Sequence, residues 1–205
     1  NKQTKAYASE STKWADGTPR YYDINHDGVL NQEDLVYQGS ADPILYGGIQ
    51  NSFYYKNFKL GMYWAYSIGG KIYNYGEFYQ AGGINTNQFR YMLNSWHPER
   101  NPESNIPRAG YTDVSLPSDF MIHDASYLRF KNISLGYTLD LGKKWKNGIK
   151  DITFTFAAEN VYLWKNYNGF DPDVSSEGTS STLRRVDLGA YPKPRTFTFS
   201  VQVRY

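Results

Sequence analysis

Apolar and polar residues alternate strictly in several stretches of this chain of 205 residues. In FKLGMYWAYSI, residues Phe58, Leu60, Met62, Trp64 and Tyr66 share one face. A period of two is typical of a strand that places one face in an apolar environment. The same period predicts strands over ISLGYTLDL, ITFTFAAENVYLW and TFTFSVQVRY, and a weaker pattern predicts another over PILYGGIQNSFYYK.

One of these strands changes phase. Ile133, Leu135 and Tyr137 lie on one face of ISLGYTLDL, whereas Leu128 and Phe130, upstream of Lys131, lie on the other. A β-bulge near Lys131 explains the change, because one extra residue returns later side chains to the original face. A strand that continues beyond the buried zone is the alternative.

Short and long connections between the predicted strands alternate. The turn at Lys56 and Asn57 and the turn over 142–149 are short, whereas the loops over 69–123 and 165–192 are long. This asymmetry is typical of an outer-membrane β-barrel, in which long loops face outward and short turns face the periplasm. A soluble β-sandwich remains the alternative. Because small barrels need about eight strands, five strands predict the C-terminal part of a larger barrel.

Composition excludes several classes of function. The formal net charge of +2 does not suggest a nucleic-acid partner, and the absence of cysteine excludes disulfides and thiolate chemistry. Aromatic residues make up 18% of the chain, yet its mean hydropathy is −0.66 and no apolar run reaches the roughly 18 residues of a transmembrane helix. No signal peptide opens the sequence at Asn1, which suggests a mature soluble chain or a fragment.

The stretch DINHDGVLNQED has the ligand spacing of a calcium loop of twelve residues. Gly28 at the sixth position permits the sharp turn of such a loop. The predicted ligands of one Ca²⁺ or Mg²⁺ ion are Asp23, Asn25, Asp27, the carbonyl of Val29, Asn31 and Asp34. Asp34 replaces the Glu of an EF-hand, and flanking helices are not indicated, so we predict an isolated, dockerin-like loop. A turn rich in Asx residues without metal is the alternative.

The long loop after the second predicted strand is rich in aromatic residues that could stack on sugar rings. The candidate substrate-binding residues are Tyr75, Phe78, Tyr79, Tyr91 and Trp96. The alternative is that these rings pack the loop. A short helix is predicted in NTNQFRYMLNSW, with Asn85 or Thr86 as its cap.

Nothing in the sequence assembles a catalytic centre. The three histidines do not share a metal-binding spacing, and no triad follows from the pattern. Asp171 and Asp173 have the residue type of a glycosidase pair, but carboxylates that fix a turn around Pro172 explain them better. We therefore predict that the chain is not an enzyme.

The chain resembles the C-terminal end of SusC/RagA-type TonB-dependent outer-membrane transporters. The similar segments are PRYYDINHDGVLNQED, YGGIQNSFYYKNFKLGMYW, SWHPERNPESNIPRAG, SYLRFKNISLGYTL, AAENVYLWKNYNGFDPDV and GAYPKPRTFTFSVQVRY, which follow one another in family order. The resemblance implies the last five strands of a 22-stranded transmembrane barrel, embedded in outer-membrane lipid of a Gram-negative bacterium.

The resemblance also implies import of glycans or peptides. TonB would act through an N-terminal part that is not visible here. A SusD-like surface lipoprotein is likewise implied as partner. We expect residues 1–42 to form an extracellular loop with the calcium loop, and residues 43–205 to contain the barrel strands and the other extracellular loops. The alternative function is that of a secreted, calcium-stabilised β-sandwich, either a carbohydrate-binding module or an adhesin.

Overall fold

The structure is dominated by β-strands. The computed structural model describes residues 3–7, 17, 21–80, 87–109, 118–142, 148–176 and 184–205, and for 3–7 and 78–80 the backbone alone. In chain order the strands are β1 (Gln3–Tyr7), β2 (Leu35–Ser40), β3 (Leu45–Tyr55), β4 (Phe58–Ile68), β5 (Lys71–Asn74), β6 (Ile122–Asp124), β7 (Tyr127–Asp140), β8 (Asp151–Lys165), β9 (Val186–Asp187) and β10 (Thr196–Arg204).

Five long strands form one antiparallel sheet in the order β3-β4-β7-β8-β10. They coincide with the five stretches in which the sequence alternates, so the predicted all-β sheet is confirmed. The turn between β3 and β4 consists of Lys56 and Asn57, with Tyr55 paired to Phe58. Lys56 has a φ of 52°, in the left-handed region that such a tight turn requires.

The change of phase at Lys131 is a β-bulge. Between β4 and β7 the register steps from Tyr63 opposite Asn132 to Trp64 opposite Phe130, which leaves Lys131 unpaired. The register of β7 with β8 shifts at the same place, where Asn160 has a φ of 52°. The bulge returns Phe130 to the face that carries the later apolar residues of β7, which confirms the first of the two explanations.

The two faces of this sheet differ in chemistry. On the apolar face, Trp64 stacks on Phe130 with ring centroids 4.1 Å apart, and Phe156 lies 6.2 Å from Phe197 on the next strand. These rings stay accessible: Phe156 is 47% exposed. The opposite face carries the hydroxyls of Thr138 and Thr153, which lie 3.0 Å apart, and Tyr63 as a larger side chain. In the described part of the chain, the apolar face is therefore not the inside of a sandwich.

Short strands form two smaller sheets that the sequence analysis did not predict. β1 pairs with β2, and β5 lies between β6, to which it is antiparallel, and β9, to which it is parallel. The helix α1 (Tyr75–Gln80) follows β5 directly. Three 3-10 helices cover Gln32–Asp34, Arg90–Asn94 and Asp119–Met121.

In the described part of NTNQFRYMLNSW the helix is the 3-10 helix Arg90–Asn94, and its N-cap is Phe89. Asn85 and Thr86 lie outside the described residues. The N-cap makes no side-chain hydrogen bond, so this helix lacks the polar cap that we expected. None of the helices in the described ranges is long and apolar enough to cross a membrane.

The chain divides into two compact units. The loop unit consists of residues 1–42, 70–125 and 167–190, and the strand unit consists of 43–69, 126–166 and 191–205. In the loop unit a small core forms where Ile72, Ala125 and Tyr167 are buried together, with Val174 packed against them. The loop unit thus contains most of the two long loops together with residues 1–42, and the predicted division of the chain at residue 42 stays a prediction.

The last strand tests which face of the sheet meets lipid. Val201 is opposite Phe154 on the apolar face, and Gln202 is opposite Thr153 on the polar face. We expect Val201→Arg to lower the amount of folded protein in outer membranes far more than Gln202→Arg, because a charge on the lipid face at mid-bilayer costs about 2–4 kcal/mol. The measurement is the heat-modifiable band of the intact protein in purified outer membranes. Equal amounts of the two variants would contradict the assignment of the faces.

Candidate metal loop

The loop DINHDGVLNQED folds back on itself through backbone conformations that are rare outside glycine. His26 has a φ of 58° and Gly28 a φ of 81°, so the chain turns sharply twice within three residues. At position 28 a side chain would have free space around it but would strain the backbone. Glycine at the sixth position is thus required by conformation rather than by crowding.

Side chains of the predicted ligands shape this loop. The N–H of Gly28 donates to Asp23 Oδ2 at 2.8 Å, the N–H of Asp27 to Asn25 Oδ1 at 3.1 Å, and the N–H of Val29 to Asp27 Oδ1 at 2.7 Å. The last two bonds are Asx turns, in which a side-chain oxygen accepts from the backbone two residues on. The side chains at the first, third and fifth positions are therefore held in place by hydrogen bonds within the loop.

Asp34 anchors the end of the loop. Its carboxylate is fully buried and accepts the N–H of Ile24 and the N–H of Asn31, each at 2.8 Å. The side chain of Asn31 in turn accepts the N–H of Glu33, which completes a capping box at the 3-10 helix that follows. Asp34 thus fixes both ends of the loop, a role that the ligand spacing alone did not indicate.

Hydrogen bonding makes the charged form of Asp34 favourable. The N–H of Asn31 contributes most to lowering the pKa of Asp34, burial opposes it, and the N–H of Ile24 lowers it further. Because the folded carboxyl has the lower pKa, its contribution to stability is present at neutral pH and is lost as the pH falls through the folded value. Acid should therefore loosen this loop.

The donor chemistry of the loop fits a hard cation. Asp23 Oδ1 is buried and has no hydrogen-bond partner in the structure, so one carboxylate oxygen is left uncompensated. The Nδ2 of Asn25 lies between Asp27 Oδ2, at 3.0 Å, and Glu33 Oε2, at 3.2 Å, so carboxylates also converge there.

Carboxylates alone do not complete the site. Among the described residues, no three Asp, Glu, His or Cys side chains form a group that could hold a metal ion. A cation in this loop would depend on the side-chain oxygens of Asn25 and Asn31 and on the carbonyl of Val29, which are oxygen donors of the kind that Ca²⁺ accepts.

Three of the five aromatic candidates for substrate binding have packing partners in the loop unit. Tyr75 tilts against Tyr73 at a centroid distance of 5.9 Å, and Tyr91 stacks on Phe89 at 5.5 Å. The ring of Trp96 lies over Gly17, where a Cβ atom would come within 2.5 Å of it. The side chains of Phe78 and Tyr79 lie outside the described residues, and a substrate-binding role for the five stays a prediction.

Several buried polar residues of the loop unit escaped the sequence analysis. Glu77 is 1% exposed and contacts His123, and Asp187 is 3% exposed and accepts the hydroxyl of Tyr167 at 2.7 Å. Burial raises the pKa of Tyr73 to about 12, with a smaller contribution from Tyr75. No local pattern reveals such residues, because their partners are distant in sequence.

Asp171 and Asp173 form the turn that the sequence suggested. The N–H of Asp173 donates to Asp171 Oδ1 at 2.9 Å across Pro172, and Asp171 is buried. This is an Asx turn, in which the carboxylate of Asp171 fixes the backbone around Pro172.

Comparison with known proteins shows related sequences. The chain is 31% identical over 197 residues to TonB-dependent receptor P26 of Formosa agariphila, a match that covers 92% of this chain and 20% of the receptor. It is 25% identical over 192 residues to TonB-dependent receptor SusC of Bacteroides thetaiotaomicron, covering 90% of this chain and 17% of SusC. No family model matches the chain.

Solved structures give the same fold. A chain of the RagAB peptide transporter superposes with a TM-score of 0.79 over 98% of this chain and 22% of that one, at 22% identity. The RagAB peptide importer in its "closed-closed" state gives a TM-score of 0.77, with 98% and 23% covered, also at 22% identity. The fold of this chain thus matches about a fifth of the length of a chain in each of these solved structures.

The sequence, the sheet and the relatives agree, and the chain spans about a fifth of the length of the curated relatives that it matches. Over 92% of its length the chain is similar to a TonB-dependent receptor, and SusC and a RagAB chain are among its other relatives, as its sequence segments had indicated.

Proposed function

We propose that this chain is part of an outer-membrane importer of nutrients in a Gram-negative bacterium. The observation that carries the proposal is the 31% identity to a TonB-dependent receptor over nearly the whole chain. The accessible apolar face of the five-stranded sheet supports it, because the lipid-facing side of a transmembrane barrel has this composition. The relatives are receptors and transporters rather than enzymes, which supports a role without chemistry of its own.

Energy from TonB and capping by a SusD-like surface lipoprotein complete the proposed importer. The relatives support both, because they include SusC and a chain of the RagAB peptide transporter. The cargo is a glycan or a peptide. The secreted carbohydrate-binding module or adhesin is the weaker candidate, since its sandwich would cover the apolar face that the described residues leave accessible.

Deletion of the gene tests the importer and its cargo together. The deletion strain is expected to lose growth on one class of sole nutrient, offered as a panel of glycans and a panel of peptides, and to recover it with the intact gene on a plasmid. An affinity-tagged receptor should co-purify a surface lipoprotein from detergent extracts. Unimpaired growth on every nutrient that the parent strain uses, or recovery of the protein from buffer without detergent, would contradict the proposal.

Orientation in the membrane gives a second prediction. Glu103, in the loop over 69–123, and Asn57, in the turn between β3 and β4, are both exposed. With long loops outside, an impermeant thiol reagent on whole cells should label Glu103→Cys and leave Asn57→Cys unlabelled until the outer membrane is opened. Labelling of Asn57→Cys alone in intact cells would reverse the topology.

For the loop over 23–34 we propose that one Ca²⁺ or Mg²⁺ ion binds Asp23, Asn25, Asp27, the carbonyl of Val29, Asn31 and Asp34. The uncompensated buried oxygen of Asp23 supports this, because a cation would neutralise it. The role proposed for the ion is structural: it would stabilise a loop that contains little apolar core of its own. Contact with the capping lipoprotein is the alternative role of the loop.

Calorimetry of the intact receptor in detergent tests the metal. The double variant Asp23→Ala, Asp27→Ala should bind one Ca²⁺ fewer per molecule than the wild type, because two of the six ligands are lost. Titration with Mg²⁺ in parallel identifies the preferred ion. Glu99→Ala, which removes an exposed carboxylate elsewhere in the loop unit, is the matched control and should leave uptake unchanged. Equal calcium uptake by the double variant and the wild type would show that the loop holds no ion.

A further inference from the structure

Aromatic rings gather at one end of the apolar face of the five-stranded sheet, the end at which the loop over 165–192 leaves β8 and returns to β10. The ring of Trp164 lies 4.4 Å from that of Tyr162 and 5.9 Å from that of Trp64, measured between centroids. Tyr162 is 52% exposed and Trp164 is 44% exposed. With Phe130, which stacks on Trp64, these residues form a group of four rings that we call the aromatic patch.

A basic segment, residues 193–195, directly precedes β10 in the same strand unit, and the side chains of Lys193 and Arg195 are both exposed. Asn160 of β8 holds this segment. Its Nδ2 donates to the carbonyl of Pro194 at 2.8 Å, and its own carbonyl accepts the Nε–H of Arg195 at 3.4 Å. Because Tyr162 follows Asn160 by two residues, about 7 Å along a strand, the two cations lie next to the aromatic patch.

Positive charge faces no carboxylate on this side of β8. Glu159 precedes Asn160, but it shares the other face of the strand with Thr153 and Thr155, because side chains alternate along a strand. The contact through Nε uses one of the five N–H donors of the Arg195 guanidinium, so four donors lie outside it. The border of the aromatic patch therefore presents two positive charges to a ligand.

Exposed rings beside cations suit a ligand that has both apolar chains and a negatively charged head. Trp and Tyr are favoured at the boundary between lipid and water, and basic side chains bind the phosphates of lipid head groups there. The guanidinium of arginine matches a phosphate with two parallel hydrogen bonds. A soluble anion would use the cations and leave the rings exposed, whereas a neutral lipid would use the rings alone. A lipid that carries phosphate uses both.

We propose that the aromatic patch and the basic segment together bind one phosphate-bearing lipid of the outer leaflet. Lys193 and Arg195 contact its phosphate, and Tyr162 and Trp164 contact its acyl chains. The inference rests on the proposed function, because a sheet that crosses the outer membrane with its long loops outside brings this end to the outer leaflet. The bound lipid would hold the start of β10 at the membrane surface. Neither the metal nor the nutrient takes part.

Lipid binding to the intact receptor in detergent tests this inference. Native mass spectrometry compares lipid A, which carries phosphate groups, with the same lipid after its phosphates have been removed. Each cation near a lipid phosphate contributes about fivefold in affinity, so the wild type should prefer the phosphorylated form about 25-fold. Arg195→Gln and Lys193→Gln should each lose about fivefold of this preference, and the double variant should lose nearly all of it.

Three further measurements serve as controls. Arg100→Gln removes an exposed arginine of the loop unit and should leave the preference at the wild-type value. Arg195→Lys keeps the positive charge and should retain most of the preference, which covers the case in which Arg195→Gln does not fold. Inorganic phosphate at millimolar concentration should not displace lipid A, because the free anion has no acyl chains to contact the rings.

Three results would each overturn the inference: equal binding of the two lipid forms by the wild type, an unchanged preference in the double variant, or displacement of lipid A by inorganic phosphate. Any of these in a receptor that needs detergent for its extraction contradicts the lipid site alone. Recovery of the protein from buffer without detergent contradicts the proposed function itself, so the two failures are distinguishable.

Discussion

Continuity of one apolar face across the strands is the constraint on which the strand unit depends. Side chains alternate along a strand, so a single residue too many would transfer half of β7 to the wrong face. The bulge at Lys131 prevents this, since it keeps Phe130 beside Trp64 while Ile133 stays beside Met62. Asn160, with its left-handed backbone, adjusts β8 to the same shift. Apolar side chains thus stay on one face of the sheet along its whole length.

The five long strands could be predicted from sequence because the signal for each lies within its own residues. Every apolar residue of β10 is paired with an apolar residue of β8. The alternation within each strand therefore already indicates which of its faces will coincide with the apolar face of its neighbour. The loop unit carries no such signal. β5 has four residues and β9 has two, and β5 is bound to β6 and to β9 from segments far away in sequence. Its core of Ile72, Ala125 and Tyr167 likewise draws one residue from each of three places.

The metal loop lies between these two cases. The spacing of Asp23, Asn25 and Asp27 predicted a turn with oxygens directed to its own centre, and the hydrogen bonds to Asp27, Gly28 and Val29 have that pattern. The spacing could not predict that Asp34 holds two backbone N–H groups while fully buried. A motif specifies which residue types are present, whereas burial depends on the rest of the unit.

The two units are stabilised by different kinds of interaction. In the sheet, neutral backbone hydrogen bonds and apolar contacts dominate, with an ion pair between Asp151 of β8 and Arg204 of β10. The loop unit has a small apolar core and closes instead through polar contacts: Asp34 on its backbone donors, Asp187 on Tyr167, Arg184 on Asp42 at 2.9 Å, and Glu77 on His123. Each buried carboxylate is stable only while its partners compensate its charge.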